Sequence, residues 1–153
     1  SEEQDFGTAF GNFRFRWDTR LRDCGLKPVW QLDLPDTMPV IAPHDALQIL
    51  HIVQESLTNV VKHAGASSVT VRMQLAGDLL SVDVVDDGVG GTAARPAGAG
   101  GRGQSNMAKR TQRLGGTLET TFGADGGRVS LRMRLADKPP DGQPAPEPGL
   151  ALP

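Results

Sequence analysis

Polar side chains recur along one stripe of a helix that we predict between Pro43 and Gly65. His51, Glu55 and Asn59 follow one another at intervals of four residues, and residues four apart share one face of a helix. Asn59 is a poor helix-interior residue because its side chain competes for backbone hydrogen bonds. A carboxamide oxygen can hold Mg²⁺ while phosphate oxygens and water complete the octahedron. The alternative is that the stripe is the solvated side of an amphipathic helix.

A second block, DDGVG, follows the apolar run LLSVDVV and begins at Asp86. A carboxylate at this strand end can accept a hydrogen bond from the exocyclic amine of adenine, whereas guanine presents a carbonyl there. A buried hydrogen bond to a charged group contributes about 1.5–3 kcal/mol, which corresponds to roughly ten- to hundredfold discrimination. Gly88 and Gly90 let the backbone pass close to a base and adopt a positive φ. The alternative is an ordinary turn after a strand, started by Asp87.

The third block is Gly101-Arg102-Gly103, which precedes a helix predicted at 105–114. Exposed N–H groups at a helix N-terminus favour phosphate, and Arg102 would add positive charge. A Gly-x-Gly pair by itself also marks simple flexibility. Residues 88–103 hold seven of the chain's 19 glycines and no large apolar side chain except Val89. We therefore predict a mobile lid that closes over a nucleotide.

The elements that must position these blocks follow from periodicity. An apolar stripe at helical spacing predicts a first helix that ends near Gly25, formed by Phe6, Phe10, Phe13, Trp17 and Leu21. The second helix is predicted to end at Gly65 and to bury Leu47, Leu50, Val53, Leu57, Val60, Val61 and Ala64. Strands are predicted at 29–34, 68–75, 79–86, 117–122 and 128–135. This order predicts an α/β (α+β) two-layer sandwich, with helices on one face of a mixed, mostly antiparallel sheet.

Length and composition predict one compact domain. The 153 residues, 38% of them hydrophobic, suffice for a single core. Residues 26–136 form the predicted ATP-binding domain, and 1–25 form an amphipathic helix that packs on it or leads from a missing dimerisation hairpin. Residues 137–153 are predicted to be a disordered tail, because six of the 11 prolines fall there.

Charge and cysteine content restrict the environment and the partners. A net charge of -2 without a basic, aromatic-rich stripe gives no reason to expect nucleic acid. The single Cys24 excludes an internal disulfide and fits a reducing compartment. No apolar run approaches the ~20 residues that span a bilayer, so we expect no direct membrane contact by this domain. We expect a cytoplasmic location, with anchoring of a longer parent protein in the inner membrane left open.

The three blocks in this order resemble the catalytic, ATP-binding domain of bacterial sensor histidine kinases, within the GHKL ATPase superfamily. The runs QESLTNVVKHAGAS and GRGQSNMAKRTQRLGG are most similar to the nitrate-sensor-type branch. The resemblance covers about residues 5–135 and is strongest over 47–135. It implies the GHKL fold, with ATP and Mg²⁺ as cofactors.

The resemblance also implies a role for each site residue. Asn59 would be the Mg²⁺ ligand, and Glu55 the polar group nearest the γ-phosphate, a candidate for orienting the nucleophile. Lys62 and His63 would extend the same face toward phosphate. The base-reading motif would comprise Asp86, Gly88 and Gly90, and the phosphate-covering lid would end at Gly101, Arg102 and Gly103.

Two positions depart from the family pattern. Gln104 stands where a leucine commonly follows the second glycine, so one apolar lid contact is expected to be missing. Gly127 stands where the family usually has a threonine shortly before the valine of the last strand, here Val129. That replacement puts one secondary contact to the adenine-reading carboxylate in doubt.

The resemblance implies an enzyme that passes the γ-phosphoryl group to a histidine on a separate dimerisation domain, which in turn serves a response regulator. The only His-acid pair here is His44-Asp45, which directly follows Pro43 at a predicted helix start. That is a capping environment, so we expect the phosphoacceptor outside this chain. Two alternatives stay open. One is a GHKL serine kinase or ATPase of another branch, and the other is a degenerate, nucleotide-free interaction domain, suggested by Gln104 and Gly127.

Overall fold

A computed structural model describes residues 5–88 and 101–135. The elements in chain order are α1 (Phe6–Asp23), β1 (Lys27–Asp33), α2 (Pro43–Asn59), a π-helical turn (Val60–Ala64), β2 (Ser68–Ala76), β3 (Leu79–Asp86), α3 (Gly101–Leu114), β4 (Thr117–Gly123) and β5 (Gly126–Arg134). Gly90, most of the predicted lid and the predicted tail lie outside the described residues.

The five strands of the described part form one sheet in the order β1-β2-β3-β5-β4. β1 runs parallel to β2, and the other neighbouring pairs are antiparallel. A parallel pair needs a crossover of a dozen or more residues, and α2 with its π-helical turn provides it. Alternate strand residues and the apolar sides of the helices form one hydrophobic core. The predicted fold of helices on a mixed, mostly antiparallel sheet is confirmed.

Helix α1 begins at a capped turn and contributes its whole apolar stripe to the core. The carboxylate of Asp5 accepts a hydrogen bond from the backbone N–H of Thr8 at 2.7 Å, which satisfies one of the unpaired donors of the first turn. The five residues of the predicted stripe are all buried, namely Phe6, Phe10, Phe13, Trp17 and Leu21. Gly25 has a φ of 84°, which suits the end of the helix.

Trp30 on β1 fastens α1 to the sheet. Its indole N–H donates to the carboxylate of Asp18 at 2.9 Å, and its ring meets that of Phe10 edge to face. The guanidinium of Arg14 lies 5.6 Å from the centre of the same ring. An amphipathic aromatic side chain can thus pack and hydrogen-bond at once, so the position of α1 against β1 is specified by both kinds of contact.

The buried face of α2 differs from the predicted one at its first turns. Leu47 is 51% exposed, and Ile49, Ile52 and Ser56 are buried instead. Residues two apart on a helix lie about 200° apart, so a face centred on Ile49 turns Leu47 outward. The later positions Val53, Leu57, Val60 and Ala64 are buried as predicted, and Gly65 ends the helical segment with a φ of 59°.

Several element boundaries also differ from prediction. The strand predicted at 29–34 spans Lys27–Asp33, and Pro28 is tolerated because β1 is an edge strand that pairs with β2 alone. β4 extends to Gly123 and β5 begins at Gly126, which leaves a two-residue turn between the two strands.

The sheet face away from the core carries a buried acid. Asp83 lies on the central strand β3 and accepts hydrogen bonds from Ser130, from Arg128 at 3.3 Å and from Arg132 at 3.2 Å. Burial raises the pKa of Asp83, but the hydrogen bond from Ser130 and the charges of Arg132 and Arg128 outweigh it and lower the pKa overall. The polar face is therefore held together across β3 and β5 by a charged network.

No helix within residues 5–88 and 101–135 has both the length and the sustained hydrophobicity that crossing a membrane requires.

Two phenylalanines on α1 offer a matched test of its packing. Phe13 is 2% exposed and Phe15 is 76% exposed. Phe13→Ala should lower the free energy of unfolding by about 3–5 kcal/mol, because it leaves a cavity in the core. Phe15→Ala should change it by no more than about 0.5 kcal/mol. Urea unfolding followed by circular dichroism measures both, and equal effects would show that α1 is not part of this core.

Candidate functional site

A small cleft separates the C-terminal end of α2 from the end of β3. Its empty volume is about 230 Å³, and it is lined by Ser56, Asn59, Val60, Val84, Asp86, Phe122, Arg128 and Val129. Two residues singled out from the sequence, Asn59 and Asp86, therefore meet in one cleft although 27 positions separate them in the numbering. The cleft combines an amide, a carboxylate and a largely apolar wall, which suits a flat heterocycle with a polar edge.

Asp86 is 5% exposed and is held by backbone donors. Its Oδ1 accepts hydrogen bonds from the N–H of Gly88 at 2.9 Å and from the N–H of Gly127 at 3.3 Å. The second donor is available because Asp86 and Gly127 are register partners across β3 and β5. Gly127 thus contacts Asp86 through its backbone, even though the threonine expected at that position is absent.

Glycines surround Asp86 because other backbone segments come very close. A β-carbon added at Gly88 would overlap the carbonyl of Ala64, at the end of the π-helical turn. One added at Gly126 would overlap the carbonyl of Asp86, and the φ of Gly126 is 133°. The structure thus supplies a reason for Gly88 beyond an approach to a ligand, since the end of β3 and the end of the helix pack backbone to backbone.

Asn59 is the last α-helical residue before the π-helical turn Val60–Ala64. Such wider turns occur mostly as single interruptions of α-helices, frequently at functional sites. Lys62 and His63 lie in this turn, where Lys62 is exposed and His63 is half-buried. Neither of them lines the cleft. Of the predicted polar stripe, the described cleft therefore includes Asn59 alone.

Glu55 lies one helical turn before Asn59, is half-buried, and is not among the cleft-lining residues. His51 lies a further turn back. Burial lowers the pKa of His51, the positive charge of Arg110 lowers it further, and the negative charge of Glu55 opposes both. His51 is accordingly biased toward its neutral form at the interface between α2 and α3.

Asp87 has a structural position beside the cleft. Its Oδ1 accepts the backbone N–H groups of Ser67 at 2.8 Å and Ser68 at 2.9 Å. Hydrogen bonds from Ser68 and Ser67 lower the pKa of Asp87 below its usual value. The carboxylate ties the start of β2 to the end of β3, next to the cleft.

Helix α3 begins earlier than predicted. Gly101, Arg102 and Gly103 belong to the helix Gly101–Leu114 itself and do not precede it. Glycine disfavours a helix by about 1 kcal/mol per residue, and for this reason the sequence predicts a helix that begins only at 105. Packing of buried Met107 and Leu114 stabilises the helix regardless. The side chains of Arg102 and Gln104 lie outside the described part of the chain.

The direction of α3 follows from two contacts with α2. Ser56 contacts Met107 at 3.4 Å between Oγ and Sδ, and Gln48 contacts Arg110 at 2.9 Å between Oε1 and a terminal guanidinium nitrogen. The later residue on α3 thus meets the earlier residue on α2, so the two helices run in opposite directions. The first turn of α3 lies toward the end of α2 that carries Asn59. The first N–H groups of a helix have no partner within the helix and therefore favour an anion.

The donor set fits a magnesium ion that is held mainly by a substrate. Within the described residues, no group of three or more His, Cys, Asp or Glu side chains is placed to hold a metal. Mg²⁺ commonly uses one or two protein oxygens together with phosphates and water. The amide of Asn59 is suited to be such a single protein ligand.

The sequence did not identify the apolar wall of the cleft. Val84, Val129 and Phe122 come from three different strands. Phe122 is the one aromatic residue of β4 and could have been noticed for that reason. Its place near Asp86 depends on the register of β4 with β5.

Comparison with known proteins agrees with this geometry. Residues 44–138 match the family model described as histidine kinase-, DNA gyrase B-, and HSP90-like ATPase. The chain is 38% identical over 90 residues to the sensor histidine kinase NarS of Mycobacterium tuberculosis, a match that covers 57% of this chain and 21% of NarS. It is 35% identical over 112 residues to the nitrate/nitrite sensor protein NarQ of Escherichia coli, covering 70% of this chain and 19% of NarQ. The chain spans about a fifth of the length of these curated relatives.

Solved structures share the fold. The histidine kinase domain of the blue-light-activated histidine kinase from Erythrobacter litoralis EL346 superposes with a TM-score of 0.73 at 24% identity, over 90% of this chain and 64% of that one. Full-length ShkA in complex with AMPPNP gives a TM-score of 0.67 at 15% identity, over 85% of this chain and 30% of that one.

Two glycines test the close approach beside the cleft. Gly88→Ala should lower the free energy of unfolding by about 1–3 kcal/mol, because the new methyl group overlaps the carbonyl of Ala64. Gly11→Ala on α1 is the matched control, since a β-carbon there meets nothing within 4 Å, and it should stabilise the helix by about 0.5–1 kcal/mol. Thermal and urea unfolding measure both. A Gly88→Ala variant as stable as the parent would contradict this packing.

Proposed function

Because the chain belongs to the family of histidine kinase-, DNA gyrase B-, and HSP90-like ATPases, we propose that it is the catalytic, ATP-binding domain of a two-component sensor histidine kinase. It passes the γ-phosphoryl group of Mg-ATP to a histidine on a separate dimerisation domain. A response regulator is the next acceptor. The names of the relatives, sensor histidine kinase NarS and nitrate/nitrite sensor protein NarQ, support this assignment. We place the domain in the cytoplasm, where ATP is available.

One observation carries the proposal. The amide of Asn59 and the carboxylate of Asp86 face one cleft, and the antiparallel α3 directs its first turn toward the same end of α2. A nucleotide needs a hydrogen-bonding partner for its base, a metal ligand and phosphate donors in this spatial order. The three groups match those needs one by one.

Asp86 would read the base. Two backbone N–H groups hold its Oδ1, so the carboxylate is preorganised to accept a hydrogen bond from the exocyclic amine of adenine. The apolar wall of Val84, Val129 and Phe122 would cover the faces of the ring.

Asn59 would hold the metal, and neighbouring groups would hold phosphate. Bound Mg²⁺ would supply positive charge to the phosphate oxygens. Lys62 is exposed in the turn that follows Asn59, where its ammonium group and the half-buried His63 would add further charge. The backbone N–H groups of Gly101, Arg102 and Gly103 would bind phosphate at the start of α3. ShkA, which shares this fold, forms a complex with AMPPNP.

Glu55 would act on the incoming nucleophile. It precedes Asn59 by one turn, about 6 Å along the helix axis, and is half-buried. A carboxylate there can orient an attacking imidazole by accepting its N–H. Catalysis in phosphoryl transfer comes mainly from positioning and charge neutralisation, so this orienting role is sufficient.

The acceptor histidine would come from another segment. His51 lies on α2 and His63 on the turn that follows it, on the same helical segment as Asn59. His44 is in the first turn of α2, 15 residues before Asn59, which is about 22 Å along the axis. Reacting atoms must approach to about 3–3.5 Å. His44 is therefore too distant, and His51 and His63 are fixed on the segment that would hold the phosphate, so none of the three would be free to approach the γ-phosphate in line.

A serine kinase or another ATPase of the same superfamily is the second candidate, because it would use the same cleft on a different acceptor. A degenerate interaction domain without nucleotide is the third candidate, because Gln104 and Gly127 depart from the family pattern.

Two substitutions separate the base from the metal, and each controls for the other. Asp86→Asn should weaken ATP and adenosine binding alike by about tenfold, because it replaces a charged acceptor in the base cleft. Asn59→Ala should weaken ATP binding and remove its Mg²⁺ dependence while adenosine binding stays nearly unchanged. Calorimetric titration with and without Mg²⁺ measures these effects. If Asn59→Ala weakens adenosine as much as ATP, Asn59 does not act on metal and phosphate.

Labelled ATP tests the acceptor. The isolated chain should acquire no stable phosphohistidine, whereas adding the dimerisation hairpin of the parent protein should give slow labelling of that hairpin. The Asn59→Ala variant serves as the negative control. Acid-labile label on this chain, lost when one of its three histidines is replaced, would refute the assignment of the acceptor to another segment. A labelled serine would favour the second candidate.

A further inference from the structure

The run Met107-Ala108-Lys109-Arg110 has a structural role that the nucleotide site alone does not explain. It lies in the middle of α3, where Met107 is 1% exposed, Ala108 and Lys109 are exposed and Arg110 is half-buried. The Oγ of Ser56 bonds both to the carbonyl of Ile52 at 2.9 Å and to the sulfur of Met107 at 3.4 Å. This buried contact holds the two helices together one turn from Asn59.

Arg110 makes a second contact, nearer the start of α2. Its terminal guanidinium nitrogen donates to the side-chain carbonyl of Gln48 at 2.9 Å. Gln48 is 4% exposed and Arg110 is half-buried, so this hydrogen bond is partly shielded from water. The Nε of Arg110 is also buried, and it has no hydrogen-bond partner within the described residues. The half-buried guanidinium of Arg110 thus keeps one nitrogen away from water while another is held by Gln48.

We propose that Arg110 is a positioning residue which, by holding Gln48, fixes the first turn of α3 against the end of α2 that carries Glu55 and Asn59. Gln48 and Asn59 are 11 residues apart, about 16 Å along α2, and Arg110 is nine residues, about 13 Å, from Gly101. Arg110 therefore acts through the helix and does not touch the reacting atoms. The expected effect of Arg110 on ATP binding rests on the function proposed above, whereas its effect on the placement of α3 does not.

The two contacts between α2 and α3 together set the direction of α3 and its distance from α2. Met107 and Ser56 determine how closely the helices pack, because both side chains are buried where the helices meet. Arg110 and Gln48 prevent α3 from rotating or sliding about that contact, because a directional hydrogen bond lies a turn away from it. With the second contact removed, the backbone N–H groups of the first turn of α3 would no longer face Asn59 in one fixed geometry.

His51 provides an independent reporter of where the guanidinium lies. The charged and titratable groups that act on it are Glu55 on its own helix and Arg110 on α3. Because the charge of Arg110 lowers the pKa of His51, removing that charge should raise it. A purely apolar packing role for residue 110 would leave the pKa of His51 unchanged.

The experiment uses the full chain, four single variants and the double variant that combines Arg110→Met with Gln48→Leu. Arg110→Met keeps the length of the side chain without charge or donors, and Gln48→Leu removes the acceptor while the charge stays. Arg110→Lys keeps charge and one donor. Arg113→Met, at an exposed position of the same helix, is the matched control. Amide exchange of residues 106–114 is measured without nucleotide, and the pKa of His51 is measured by NMR.

We expect Arg110→Met and Gln48→Leu each to speed amide exchange in α3 about tenfold, the effect of losing one buried hydrogen bond to a charged group. Amide exchange in the double variant should be no faster than in either single variant, because both substitutions remove the same contact. Arg110→Met and Gln48→Leu should each weaken the binding of ATP with Mg²⁺ and leave the binding of adenosine unchanged. The pKa of His51 should rise in Arg110→Met. In Arg110→Lys it should return to its value in the parent chain, and part of the protection of α3 from amide exchange should return as well.

Unchanged exchange in both Arg110→Met and Gln48→Leu would overturn the proposal. It would also be overturned if ATP and adenosine weakened equally, since that result would mean a general loss of the fold. If the parent chain bound neither ATP nor adenosine, the proposed function would fail, and amide exchange would still decide the placement of α3. If Arg110→Met does not fold, Gln48→Leu makes the same test with the charge retained.

Discussion

The close backbone contact between Ala64, at the end of the π-helical turn, and Gly88, just after β3, is the constraint on which the site depends. It leaves no room for a β-carbon at Gly88, so the end of the helix rests directly on the end of the strand. Asn59 and Asp86 consequently face one cleft. A wider contact would separate the amide from the carboxylate.

Polar groups around this contact are held mainly by backbone atoms. Asp86 is fixed by the N–H groups of Gly88 and Gly127, and Asp87 by those of Ser67 and Ser68. Backbone donors lose little conformational entropy, because the strands already order them. The carboxylates are thus preorganised before any ligand arrives. The opposite face of the sheet uses side chains instead, with Arg128 and Arg132 around Asp83, and that network joins β3 to β5.

Much of the fold and the centre of the site could be predicted because they depend on local patterns. The apolar stripe of α1 is buried at all five positions, and β3 has the predicted bounds. Errors occur where tertiary packing outweighs a local preference. Leu47 is apolar yet exposed, because the buried face of α2 is set by what lies beneath Ile49 and Ile52. Two glycines lie inside α3 although they disfavour a helix, because the helix is stabilised by packing.

The sequence by itself determined which chemical groups are available and on which kind of element each lies, because side-chain periodicity and turn residues are local properties. It indicated an amide on a helix, a carboxylate at a strand end and a glycine-rich approach to a second helix. Only the tertiary structure decided that Asn59 and Asp86 share a cleft, that the backbone N–H of Gly127 donates to Asp86, and that Arg110 reaches Gln48. These relations depend on strand register and on helix direction, which arise from contacts between residues far apart in the chain.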